Sequence, residues 1–187
     1  IGNRSGNRGE CAGSCRLPYS LEYNKKILSK DKYLISTKEL NISPRIKELL
    51  ETDICSFKIE GRMKSKEYVG NITRFYRNLI DQNEKFNLEE ETDKLKTIYN
   101  REFTTGHLFN VGPTDLMNIK TPNHIGLSIG KVIEITSKRI KIKLNKSLNQ
   151  LDGIRFIESG KGLIVNYLYD EKNNLISSAD NICYIDN

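Results

Sequence analysis

Ile54-Cys55-Ser56-Phe57-Lys58-Ile59-Glu60-Gly61-Arg62-Met63-Lys64-Ser65 changes its periodicity part-way. Phe57 and Ile59 alternate with Lys58 and Glu60, the period-two pattern of a strand. Gly61 ends that pattern. Ser65 then offers an N-cap to a helix in which Tyr68, Ile72, Phe75, Tyr76, Leu79 and Ile80 recur at helical spacing. The same order stands just upstream. Tyr33-Leu34-Ile35-Ser36 reads as a short strand, Ser43-Pro44 as the start of a helix, and Ile46, Leu49 and Leu50 as its apolar stripe. Strand, helix, strand and helix with short connections predict a parallel βαβα piece. Four such elements cannot close a barrel or cover both faces of a sheet. Their partners are expected before Ile1 or in another chain.

A charged face on a parallel strand needs a reason, because both faces of such a sheet are usually covered. The mouth of a barrel supplies one. Lys58, Glu60 and Arg62 would then crowd at the C-terminal strand end, where barrels of this kind place their active sites. A plain ion pair of Lys58 with Glu60 or Arg62 is the competing reading.

Further along, residues 88–100 predict another helix with Leu88, Leu95, Ile98 and Tyr99 inward. Residues 101–123 carry Gly106, Gly112, Pro113 and Pro122 and read as a linker. Beyond them Arg139, Lys141 and Lys143 alternate with Ile140, Ile142 and Leu144, a half-buried strand. Segments 128–135, 153–157, 162–168 and 182–185 are further strand candidates. Asp152-Gly153 and Asn173-Asn174 signal turns. The expected organisation is an α/β region over 1–100, a linker over 101–123 and a small antiparallel β-barrel over 124–187.

The 187 residues are 29% charged and 37% hydrophobic, with net charge +6. No apolar run approaches the roughly 18 residues that span a bilayer, so no membrane partner is expected. Four Cys are too few and too scattered for a disulfide scaffold. Two of them, Cys11 and Cys15, share a Gly- and Arg-rich loop with Arg4, Arg8 and Arg16. Thiolates beside Arg bind soft metals, and Arg-rich loops suit the phosphates of RNA. Cys11 and Cys15 are therefore the candidate metal ligands, and a full site needs about two more. Cys55 and Cys183 fall in predicted strands and read as buried thiols. His107 and His124 flank the linker, and neither stands near a nucleophile in sequence. No zinc-protease helix, nucleophile elbow or phosphate loop is present. No catalytic residue can be assigned.

Three stretches resemble one family. Asn7-Arg8-Gly9-Glu10-Cys11-Ala12-Gly13-Ser14-Cys15-Arg16-Leu17-Pro18-Tyr19 is similar to the signature loop of peptidase family U32, the collagenase-like protease group. Tyr33-Leu34-Ile35-Ser36-Thr37-Lys38-Glu39-Leu40 and Ser56–Ser65 resemble two more of its motifs. Phe103-Thr104-Thr105-Gly106, Asp115-Leu116-Met117-Asn118 and Pro122-Asn123-His124 look like its longer members.

The resemblance implies the C-terminal βα units of a TIM-like barrel, followed by a small β-barrel similar to the second domain of elongation factors. It implies a preceding N-terminal half and further Cys before Ile1, which in several members complete a [4Fe–4S] cluster. Where many members have another Cys, this chain has Asn41, and others have one near Val69. Some members are described as peptidases, some hydroxylate tRNA or rRNA bases, and some act in ubiquinone hydroxylation. The Arg-rich loop and the basic strand at 139–143 favour RNA, in a cytoplasmic enzyme, over a peptide substrate. Arg8, Arg16, Lys58, Glu60, Arg62 and Lys64 are then the expected substrate-binding residues. Their charge suits RNA and an anionic cosubstrate such as prephenate.

Overall fold

Asn41 begins the helical part of the molecule. Its side-chain Oδ1 accepts from the Ser43 N–H at 2.9 Å and from the Tyr76 hydroxyl at 3.0 Å. A 3-10 turn, Ser43–Arg45, carries Pro44 at its start and runs into α1 (Ile46–Leu50). Asn41, not Ser43, thus supplies the capping oxygen, and the Ser43 hydroxyl is buried with no hydrogen-bond partner among the described residues. The computed structural model describes residues 2–61, 64–82, 84–109 and 112–187. It divides into two units, residues 1–126 and 127–187.

The first unit opens with an Arg- and Gly-rich loop and a hairpin, β1 (Tyr19–Tyr23) and β2 (Lys26–Lys32). The turn between them places Asn24 and Lys25 at φ 48 and 61, the left-handed pair that a tight hairpin turn requires. Almost every hairpin side chain is exposed. β3 (Glu39–Leu40) pairs in parallel with β4 (Phe103–Thr104). α2 (Lys66–Ile80) starts where Ser65 Oγ accepts from the Tyr68 N–H at 3.2 Å, as the sequence predicts. Phe75 is buried on its inner face, edge-on to Tyr76 and Phe86. α3 (Leu88–Ile98) is capped by Asn87, which accepts from the Glu89 and Glu90 N–H groups, with Leu95 buried inside. Three Glu in its first turn complement the positive end of the helix dipole.

Two predicted strands are absent. Residues 33–36 turn instead, with the Ser36 N–H donating to the Tyr33 carbonyl at 3.0 Å. The segment then runs beside residues 116–119, through bonds from Lys38 N to Leu116 O and from Asn118 N to Ser36 O. Residues 54–61 form neither strand nor helix, and Ile54 and Ile59 are exposed. A parallel strand exists only beside a hydrogen-bonded neighbour; among the described residues none pairs with this segment. The expected βα units of a TIM-like barrel are therefore not seen among the described residues, where the first unit is mixed helix and sheet with two small two-stranded sheets. Residues 101–123, expected as a linker, hold β4 and α4 (Pro113–Leu116) and belong to the first unit. Among the described residues no helix is long and apolar enough to cross a membrane.

The second unit contains β5 (Gly130–Ile135), β6 (Arg139–Leu144), β7 (Leu148–Asn149), β8 (Gly153–Arg155), β9 (Gly162–Ile164), β10 (Leu168–Tyr169), β11 (Ser178–Ala179) and β12 (Ile182–Asp186). Antiparallel pairing gives a four-stranded sheet in the order β10-β12-β6-β5 and two two-stranded sheets, β11-β7 and β8-β9. Among the described residues these do not close into a barrel. Ile140, Ile142, Leu144, Leu148, Val165, Leu168, Cys183 and Ile185 form the core. β5 crosses β6 so closely that a Cβ at Gly130 would collide with the Lys143 carbonyl.

Candidate cluster loop and signature segment

The Cys loop is short and held at several points. Two 3-10 turns, Gly6–Arg8 and Ser14–Arg16, flank Cys11. Gly9 and Gly13 take φ 79 and 64, a left-handed conformation that favours glycine at both. The Tyr19 hydroxyl donates to the Ser14 carbonyl at 2.8 Å. Arg16 does most of the anchoring. Its guanidinium donates to Ser36 Oγ at 2.7 Å, to the Thr37 carbonyl at 2.8 Å and to Thr37 Oγ1 at 3.3 Å. Ser36 is fully buried, so the arginine ties the loop to an interior point. Arg16, expected at a substrate, is therefore committed to the fold. Arg8 is exposed at the end of the first turn.

Cys11 and Cys15 are both exposed free thiols, and the Gly13 N–H points at Cys11 Sγ at 3.4 Å. A backbone N–H directed at sulfur orients that sulfur, an arrangement that suits metal or cluster ligation. The donor chemistry fits an iron–sulfur cluster; the donor number does not yet. Among the described residues no group of three or more His, Cys, Asp and Glu gathers. Cys55 is exposed in the irregular segment, not buried in a strand. Cys183 lies in the second unit's core, where burial pushes its thiol up to about 11. Asn41 serves Ser43 and Tyr76 through its side-chain oxygen.

The signature segment presents two kinds of cation. Lys58 and Glu60 are 86% and 72% exposed and approach within 3.9 Å, so they share one side of the chain as the alternation predicts. A pair so exposed contributes little stability. Lys64 is packed: its ammonium lies 2.9 Å from the centre of the Tyr99 ring and 5.2 Å from that of Tyr68. Arg62 lies outside the described residues.

Tyr99 leads to a constellation that the sequence reading missed. His124 stacks on it, with ring centres 5.7 Å apart and planes 7° apart, and Tyr68 meets it edge-on at 6.0 Å. His124 Nδ1 accepts from the Asn100 N–H at 2.8 Å, so the ring proton sits on Nε2. Arg101 forms a largely buried ion pair with Glu39 beside the same ring. Burial and the Glu39 charge raise the Tyr68 hydroxyl above its ordinary range. Asn118 is buried and ties Lys120 and Thr121 to Arg101. His124 and the Asp115–Asn118 stretch are thus joints of the first unit.

The model of peptidase family U32 matches residues 1–118. The chain belongs to peptidase family U32. A 23S rRNA 5-hydroxycytidine synthase of Escherichia coli is 30% identical over 169 residues, covering 82% of this chain and 25% of the relative. A tRNA hydroxylation protein P of Helicobacter pylori is 33% identical over 133 residues, with coverage of 63% and 30%. A collagenase of Porphyromonas gingivalis is 32% identical over 111 residues, with coverage of 56% and 31%. The chain spans about a quarter to a third of the length of these U32 relatives. No solved structure matches it at a significant level.

Proposed function

We propose that this U32 chain is part of an enzyme that hydroxylates a pyrimidine base of rRNA or tRNA in the cytoplasm. One observation carries the reading. The match to the rRNA synthase covers 82% of the chain, more than the 126 of 187 residues in the first unit, so it continues into the second. The rRNA synthase thus shares the region that holds the basic strand β6.

In this account Cys11 or Cys15 ligates a [4Fe–4S] cluster together with cysteines outside this chain. Such a cluster supplies one-electron chemistry. Arg16 fixes the loop so that its thiols keep a constant position. Arg8 contributes positive charge for phosphate. Lys58 and Glu60 form a polar patch for an anionic cosubstrate such as prephenate, and Lys64 secures the end of that segment through Tyr99. The remainder of a larger U32 barrel would cover Ile54, Ile59 and the exposed hairpin.

Deleting the full-length gene and digesting the cell's RNA to nucleosides tests the reading. Loss of a hydroxylated pyrimidine is expected, and an unchanged nucleoside profile sinks it. Iron and sulfide analysis of anaerobically purified full-length protein tests the cluster separately; a colourless, iron-free protein contradicts it. The collagenase-named relative supports a second reading, peptide hydrolysis. Collagen or casein cleavage by the purified protein would favour it. Cleavage that survives Cys11→Ala with Cys15→Ala would place its chemistry outside the loop.

A further inference from the structure

The outward face of the β10-β12-β6-β5 sheet carries an arrangement that core packing does not explain. Residues directly opposite one another across a sheet share a face. Tyr169 pairs with Tyr184, Tyr184 with Lys141, and Lys141 with Glu134, so one row crosses all four strands. The next row is Ile182, Lys143 and Lys131. Arg139 and Asp186 form an ion pair at the other side of the first row. The opposite face, with Leu168, Ile140, Ile142, Cys183 and Ile185, is the core. The two tyrosines therefore lie on the solvent side, half-buried only by their neighbours.

Cations address both rings. The Arg139 guanidinium lies 3.7 Å from the centre of Tyr169, and the Lys141 ammonium 5.3 Å from the centre of Tyr184. The Tyr184 hydroxyl holds Lys141 above the usual lysine range, with Glu134 and Glu171 adding to the effect. Across the face Lys131, Arg139, Lys141 and Lys143 oppose Glu134 and Asp186, with Glu171 at the margin. The balance is cationic, and the aromatic rings sit within it. A cross-strand tyrosine pair stabilises a sheet by itself; the cations gathered over both rings are the feature that points to a ligand. A protein partner would call for a broader apolar centre. Unpaired bases stack on aromatic and guanidinium planes while their phosphates take up lysines.

We propose that this face takes a single-stranded RNA segment, with bases stacking at Tyr184 and at the Arg139–Tyr169 pair and phosphates on Lys131 and Lys143. This inference rests on the reading that the enzyme acts on RNA. It assigns to the second unit the task of holding unpaired nucleotides beside the modified one.

Fluorescence anisotropy of the full-length protein with a labelled oligouridine of about ten nucleotides tests it. Tyr184→Ala should weaken binding about tenfold, whereas Tyr184→Phe should leave it within a factor of about two, since the ring is retained. Lys143→Gln should reduce the slope of log affinity against log salt by about 0.7. A duplex of the same length should bind more weakly. Ultraviolet cross-linking of unmodified protein to the same oligonucleotide should label the peptide containing Tyr169 or Tyr184. Wild-type affinity in folded Tyr184→Ala and Tyr169→Ala proteins overturns the proposal, as do cross-links confined to residues 1–126. If Tyr184→Ala does not fold, the cross-link site and the Lys143→Gln slope decide. Binding needs no catalysis. Tyrosine-independent binding with loss of the hydroxylated nucleoside on gene deletion rejects this surface alone. Tyrosine-dependent binding with unchanged nucleosides rejects only the hydroxylation reading.

Discussion

Arg16 joins the Cys loop to the interior through one guanidinium and two residues, Ser36 and Thr37. Removing it leaves the buried Ser36 hydroxyl without that donor, so Arg16→Ala should cost about 1–3 kcal/mol in urea denaturation. Arg16→Lys should restore little, because one ammonium cannot reproduce the fork. An unchanged midpoint would show that the loop is held by other means. Cys183 makes a second prediction at this scale. Burial raises its thiol from 9.0 to about 11. Between those values the unfolded chain has lost the proton and the folded chain keeps it, so folding binds a proton and stability falls as pH rises. The loss should reach about 2 kcal/mol by the upper end, and the difference from Cys183→Ala isolates it from Tyr68 and Tyr76, which burial also raises. Below pH 9 the term is fully present. Iodoacetamide should label Cys11, Cys15 and Cys55 in the folded protein and Cys183 only after unfolding. Sequence singled out the candidate thiols and arginines of the loop, but not that Arg16 was already engaged. The distance from Arg16 to Ser36 is tertiary and leaves no local pattern.

The helices were readable because their signals are local. Ser65 caps α2 and the spacing of Tyr68, Ile72, Phe75 and Leu79 sets its buried face. Asn87 and Leu95 do the same for α3. Asn87→Ala should cost about 1 kcal/mol, read as a lower thermal midpoint with α3 losing amide protection first; an unaltered protection pattern would contradict the cap. β6 was equally plain, since Ile140, Ile142 and Leu144 are all buried and the lysines between them face out. Strands at 33–36 and 54–59 were not formed, because alternation describes a face while pairing needs a neighbour. Gly130 shows the same limit from the other side. Nothing in its local sequence announces that β6 backbone passes against it. Gly130→Ala should destabilise the second unit by about 1–3 kcal/mol and leave the first unit's amide exchange unchanged. Equal stability would mean that the strands can part without cost.

At the scale of the molecule, two features meet in one account. The first unit carries the Cys loop and the signature segment of family U32, and the second carries a cationic, tyrosine-bearing sheet face. The family and the broad mixture of helix and sheet could be read from motifs and period. The candidate site could be read only in part: Cys11 and Cys15 were found in the loop and stand there as exposed free thiols, while His124, Tyr99 and Asn118 emerged as joints only in three dimensions. The most direct measurement is nucleoside mass spectrometry of rRNA and tRNA from a deletion strain complemented with the full-length gene. The wild-type gene should restore a hydroxylated pyrimidine that the Cys11→Ala, Cys15→Ala gene does not. Full restoration by the double variant, or no change on deletion, would contradict a cluster-dependent RNA hydroxylase.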